Sequence, residues 1–183
     1  MEFGVLNGEG SVDIIRQFRS SGYKTHYGFD SFEGFGRIDD VDTRNVHLQP
    51  AFDRNAYAGL SLDDCHRSIK SHTRSGATLK LTRGFFSETL RSFDKSQLDG
   101  FPLLLYVDCD LYQSSTEVFE FLDAIVQNGS WILCDDYWCY RGHPKAGQRR
   151  ALDEWLARSS RVGVTPYCNF NGFGRAFIAY VKD

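Results

Sequence analysis

Short apolar runs alternate along this chain with amphipathic stretches of helical period. The densest run is Leu103-Leu-Leu-Tyr-Val-Asp-Cys-Asp-Leu-Tyr112, answered by Trp131-Ile-Leu-Cys-Asp-Asp-Tyr137. Neither run alternates apolar with polar, so each reads as a strand buried on both faces, which points to a parallel sheet. Between them, residues 113–127 place Val118, Phe119, Leu122, Ile125 and Val126 on one helical stripe. Ser114 or Ser115 can cap the start of this helix, and Asn128-Gly129 ends it. Strand, helix and strand of these lengths form a right-handed crossover unit.

The pattern extends in both directions. Residues 1–6 read as a strand and Asn7-Gly-Glu-Gly10 as a glycine-rich turn. A helix follows over 11–19, with Val12, Ile15 and Phe18 on one face, then a strand over 23–29 that ends at Asp30. Strand, glycine turn, helix, strand and acid is the layout of a nucleotide-type cofactor site. Residues 31–60 show little periodicity, and a loop of that length is usually functional or disordered. Downstream lie a helix over 60–71 capped by Ser61, a strand over 77–82, a short helix over 88–93 and a helix over 145–158 with Ala151, Leu152 and Trp155 inward. Strands over 162–167 and 175–181 are too close for a helical crossover and must pair antiparallel. The expectation is an α/β fold: a single Rossmann-like, doubly wound seven-stranded sheet, mostly parallel, with a C-terminal antiparallel hairpin and one domain over 1–183.

Chemistry enters at the strand ends. Open α/β sheets bind ligands at the carboxyl edge, so Asp108, Asp110, Asp135 and Asp136 can converge on one crevice. Crowded carboxylates repel unless a cation or a proton separates them, and a hard, oxygen-seeking divalent ion such as magnesium suits them. Asp110 has a second reading, as the cap of the following helix. His143, on the loop after Asp136, is a candidate general base alongside Asp108. Trp138 and Tyr140 on that loop are candidate walls of an acceptor pocket.

Composition narrows the field. The net charge of −3 argues against a nucleic-acid partner. No apolar run approaches the ~20 residues of a membrane span, so no membrane partner is expected. Five cysteines without metal-type spacing, two of them inside buried strands, read as reduced thiols in a cytoplasmic protein.

The blocks Glu2-Phe-Gly-Val5 with Gly8, Tyr27-Gly-Phe-Asp-Ser-Phe-Glu-Gly34, Gly84-Phe-Phe-Ser-Glu-Thr-Leu90, Val107-Asp-Cys-Asp-Leu-Tyr-Gln-Ser-Ser-Thr116 and Asp135-Asp-Tyr137 resemble the macrocin O-methyltransferase family, which methylates sugar hydroxyls on macrolide and aminocoumarin antibiotics. The resemblance implies the class I methyltransferase fold, with S-adenosylmethionine as methyl donor and Mg2+ as cofactor. It implies that Glu2, Gly4 and Gly8 line the methionine end of the cofactor and that Asp30 accepts from the ribose hydroxyls. Ser31 and Phe32 would border the adenosine; Gly84, Phe85 and Phe86 would flank the adenine. Asp108, Asp135 and Asp136 would be the magnesium ligands. The partner implied is a small-molecule hydroxyl acceptor, with a sugar of a glycosylated natural product favoured. Family members usually carry a segment before the first strand, and here only Met1 precedes Glu2. Self-association is a further expectation, because an exposed first strand would invite pairing. Two other functions stay open: a catalytically silent relative that binds cofactor or partner, and a nicotinamide-dependent oxidoreductase on a similar topology.

Overall fold

A computed structural model of the chain describes residues 1–18, 20, 22–35, 38, 40–43, 61–73 and 76–183. Most of the region read as a long loop, 44–60 in particular, lies outside the described residues. Seven strands alternate with helices: β1 Glu2–Phe3, α1 Glu9–Phe18, β2 Thr25–Asp30, α2 Asp40–Thr43, α3 Leu62–Thr73, β3 Thr78–Arg83, α4 Phe86–Ser92, β4 Leu104–Val107, α5 Tyr112–Ile125, β5 Trp131–Cys134, α6 Gly147–Arg158, β6 Val162–Phe170 and β7 Gly174–Val181. They form one sheet in the order β3-β2-β1-β4-β5-β7-β6. The first five positions are parallel, and β7 runs antiparallel between β5 and β6. The seven strands and the terminal hairpin are those anticipated from the hydrophobic pattern.

β1 corrects one expectation. It is not exposed but central: Glu2 registers with Gly28 on one side and Tyr106 on the other. The edge-pairing argument for self-association therefore falls, and the edge strand on that side of the fold is β3. β1 is short because Gly4 turns the chain out of the sheet at φ +91. A side chain there is excluded twice over. The positive φ favours glycine, and an added Cβ would lie 1.7 Å from the backbone oxygen of Asp108.

Strand alternation sends neighbouring residues to opposite faces. Phe3, Tyr27 and Phe29 join the larger apolar cluster with Leu105, Val107, Phe121 and Ile132. Phe3 stacks on Phe29 at 5.5 Å, and Phe93 meets Phe29 edge-on at 5.4 Å. Much of the aromatic content is thus core. Phe119 of α5 stacks on Trp155 of α6 at 5.3 Å, with Ala151 and Leu152 buried beside it as the helical spacing predicts. A smaller cluster joins Val12 and Ile15 of α1, Cys65 and Ile69 of α3, Leu79, Val5 and Phe32.

The start of α5 is a second correction. Neither Ser114 nor Ser115 caps it; the cap position is Leu111, which offers no side-chain bond. Instead Asp42 of α2 accepts from the Tyr112 N–H at 2.9 Å, so the orphan donor is satisfied from 70 residues away. All five cysteines are free thiols. Among the described residues, no helix is long and apolar enough to cross a membrane.

Gly4→Ala should cost about 3 kcal/mol or more of folding stability, since it combines a left-handed backbone penalty with a backbone collision. Urea denaturation of the variant checks this. A midpoint within error of wild type would show that the turn relaxes freely.

Candidate functional site

Each parallel strand stops in an acid or a glycine, and these ends open on one cavity of about 860 Å3. One end is built by β2 and β3. The Asp30 backbone oxygen accepts from the Gly84 N–H at 2.9 Å, which sets Gly84, Phe85 and Phe86 beside Ser31. The other end carries Asp108 and Asp110 after β4 and Asp135 and Asp136 after β5. Gly4 lies between the two ends, its backbone packed against that of Asp108.

The acids are held by neutral donors. Asp135 Oδ1 accepts from the Tyr106 hydroxyl at 2.6 Å and from Asn171 Nδ2 at 2.7 Å. Asp136 Oδ2 accepts from the Asp110 N–H at 2.9 Å. The turn carrying Asp136 is fixed by Gln148, fully buried: its Oε1 accepts from the Asp136 N–H and its Nε2 donates to the Val107 oxygen, both at 3.0 Å. Asp110 adopts a left-handed φ of 55 and faces the cavity, so the helix-cap reading does not hold for it.

Carboxylate oxygens of Asp108, Asp135 and Asp136 lie within 4.8 Å of one another. Burial, then the charges of Asp135 and Asp110, pushes the Asp108 carboxyl up to about 8. Burial and Asp135 raise Asp110 to about 6. Burial, then Asp110 and Asp108, drives Asp136 well above the usual carboxylate range. Seven acids line the cavity (Asp30, Glu33, Asp108, Asp110, Glu117, Asp135 and Asp136), and no lysine or arginine is among its described lining residues. Such a donor set fits a hard divalent cation.

The other predicted residues separate into two groups. Gly4, Asp30, Ser31, Gly84, Phe85 and Phe86 line the cavity; Glu2, Gly8, Phe32 and His143 do not. Glu2 is 1% exposed, and its carboxylate pairs with His26 Nε2 at 2.9 Å and accepts from the Ser11 hydroxyl. A charge so buried needs these partners, so they hold Glu2 on the face of the sheet beneath α1. Gly8 makes room instead for α3, since a Cβ there would meet Ile69 at 2.6 Å. Phe32 is 2% exposed in the smaller apolar cluster. His143 is exposed, and its Nδ1 accepts from the Lys145 N–H at 3.2 Å, which leaves the base role without geometric support. Tyr140 is buried at 1% and is a core residue, not a pocket wall.

Asp30 has an unexpected task. Its Oδ2 accepts from the Val5 and Leu6 N–H groups at 2.8 and 2.9 Å, and its Oδ1 from the Phe32 N–H at 2.7 Å. It ties down the turn after β1 while the residue also lines the cavity. Phe35 lines the cavity with Phe85 and Phe86, while the pattern missed Glu33 and Gly34 and the polar face of α5 formed by Gln113, Ser114 and Glu117. That face was available as a signal, because these positions lie opposite the stripe of Val118, Phe119 and Leu122.

The strand order and the terminal antiparallel hairpin define a class I methyltransferase, and the acid-lined cavity lies at the ligand-binding edge of that fold. Residues 1–158 match the family model of the macrocin O-methyltransferases (TylF), and the chain belongs to that family. It is an S-adenosylmethionine-dependent O-methyltransferase. Among solved structures, CalS11, a calicheamicin methyltransferase, is 20% identical with a TM-score of 0.76; the match covers 97% of this chain and 70% of that one. The O-methyltransferase NovP is 21% identical with a TM-score of 0.73, over 97% of this chain and 69% of its own. An O-methyltransferase from Bacillus cereus in complex with SAH is 16% identical with a TM-score of 0.57, over 99% and 72%. At these identities the likeness is one of fold. No curated protein matches the chain.

The acid cluster makes the ligand-free protein less stable as pH rises. Asp108 gives up its proton near 3.8 when unfolded but near 8 when folded, so between these values the folded state binds more protons and stability falls with increasing pH. Denaturation in chelator should show a lower midpoint at pH 8 than at pH 6. Asp108→Asn should flatten this slope and add about 1–2 kcal/mol at pH 8. A wild-type midpoint that rises from pH 6 to pH 8 would contradict the reading.

Proposed function

We propose that this protein transfers a methyl group from S-adenosylmethionine to a hydroxyl of a small molecule, assisted by Mg2+ held on Asp108, Asp135 and Asp136. One observation carries the metal assignment: three carboxylates with oxygens within 4.8 Å of one another, at the end of a cavity whose described lining has no basic side chain. A favoured acceptor is a sugar of a glycosylated natural product. Its support is analogy, since CalS11 is a TDP-rhamnose 3'-O-methyltransferase in calicheamicin biosynthesis.

The cofactor fits the other end of the cavity. Its volume falls in the range of small-ligand sites. Gly4 would let the backbone come close, and Asp30 and Ser31 line this end together with Gly84, Phe85 and Phe86. A cation held by Asp108, Asp135 and Asp136 would supply Lewis acidity toward the acceptor hydroxyl, and the cofactor would supply an electrophilic methyl. The chain's own residues then contribute alignment, which is the main source of rate in such a transfer. Asp108, packed against Gly4 at the acid end, would receive the hydroxyl proton as the oxygen bonds to the methyl carbon in line and the sulfur–methyl bond breaks, leaving S-adenosylhomocysteine.

Calorimetric titration with S-adenosylhomocysteine, with and without Mg2+, tests the reading. Saturable binding of S-adenosylhomocysteine is expected, and a parallel titration with NAD should show none. Asp135→Ala combined with Asp136→Ala should abolish Mg2+ binding and Mg2+-dependent methylation of any hydroxyl acceptor, while cofactor affinity stays within about threefold. Equal loss of cofactor affinity would make the pair structural. Cofactor binding with no Mg2+ binding by the wild type would favour a silent relative.

A further inference from the structure

We infer that Asn171, in the turn between β6 and β7, is a positioning residue for Asp135, so that the metal site is completed from a segment beyond the region matched by the family. The inference rests on the magnesium reading above.

The hydrogen bonds fix which way the amide points. Asn171 Oδ1 accepts from the Phe173 N–H at 3.1 Å and the Gly174 N–H at 2.8 Å. With the acceptor end committed to its own turn, the donor end is what faces outward, and it reaches Asp135 Oδ1 at 2.7 Å. Asn171 holds a left-handed φ of 45, a region asparagine tolerates better than most residues. One side chain therefore does two things: it closes the hairpin turn and it grips a carboxylate 36 residues away.

The grip has chemical direction. Asp135 Oδ1 takes both neutral donors, Asn171 Nδ2 and the Tyr106 hydroxyl. Oδ2 receives no hydrogen bond from the described residues and is left for the cation. Asp135 is half-buried where Asp136 is buried, so among the pair it is the carboxylate that solvent could otherwise turn. A lysine or arginine at position 171 would hold it equally well but would put a competing positive charge beside the cluster; an amide does not.

The turn is itself anchored to the site. The Trp138 N–H donates to the Phe173 oxygen at 2.8 Å, and Trp138 Nε1 donates to Asn169 Oδ1 at 3.0 Å. Trp138 lies two residues after Asp136, so the hairpin and the acid turn are tied at both ends of the contact. Groups that orient a metal ligand in this way typically contribute tenfold or more to metal affinity.

The test is calorimetric Mg2+ affinity of Asn171→Gly, since glycine takes the positive φ without strain, with S-adenosylhomocysteine affinity measured on the same protein. The expected result is Mg2+ binding weakened by about tenfold and cofactor affinity within twofold of wild type. Unchanged Mg2+ affinity would overturn the inference, and so would a parallel loss of both affinities, which would mean a purely structural turn. Should Asn171→Gly fail to fold, Asn171→Ser, which keeps an acceptor for the turn with a shorter reach, is judged by the same two affinities. Wild-type protein that binds no Mg2+ at all would instead overturn the magnesium reading on which this rests.

Discussion

Electrostatic crowding at the ends of β4 and β5 is the constraint that organises this molecule. Four carboxylates open on one end of the cavity, and three of them are within reach of a single ion. Proteins commonly relieve such crowding with a buried lysine or arginine. This chain uses neutral groups instead: a tyrosine, an asparagine and a backbone amide donate to the carboxylates, and a buried glutamine holds the turn of Asp136. Those contacts fix direction without neutralising charge, so burial first and then mutual repulsion raise the proton affinity of Asp108, Asp110 and Asp136. A site arranged this way costs the empty protein stability, the usual relation between stability and function where like charges are held together.

The end of the cavity built by β2 and β3 and the acid end are joined by backbone. Asp30 secures the turn after β1 through the Val5 and Leu6 amides, and that same turn begins with Gly4 leaning on the Asp108 carbonyl. A shift at the end of β2 is thereby felt at the end of β4 with only two residues of turn between them. The spacing between the two ends is set by main-chain contacts, which have fewer ways to relax than side chains do.

Much of this was legible in the amino-acid order. Buried parallel strands announce themselves as unbroken apolar runs, so β4 and β5 were visible together with the acids that end them. The hairpin followed from a link too short for a helix. Partners distant in sequence were not legible. Nothing local shows that Asp42 receives the Tyr112 amide, that Glu2 turns inward to Ser11 and His26, or that Asn171 reaches Asp135. Glu2 and Phe32 were misplaced for a related reason. A motif marks which residues lie near a site, while the alternation of the strand or the sense of the following turn decides which of them point into it. Gln113, Ser114 and Glu117 are the opposite case, since the helical period alone separates them from the apolar stripe.

The position of β1 bears on how the chain assembles. Its neighbours in the sheet are Gly28 and Tyr106, so the central strand is bordered on one side by a partner that is remote along the chain. Closing so long a loop costs entropy before any contact repays it. Chains dominated by such pairings fold slowly and pass through states with open strand edges. The same two-residue strand that pairs between β2 and β4 also brings Gly4 against Asp108. The acid-bearing edge of the sheet and the pairing at its centre are therefore built from one short segment, and the cavity takes part of its wall from it.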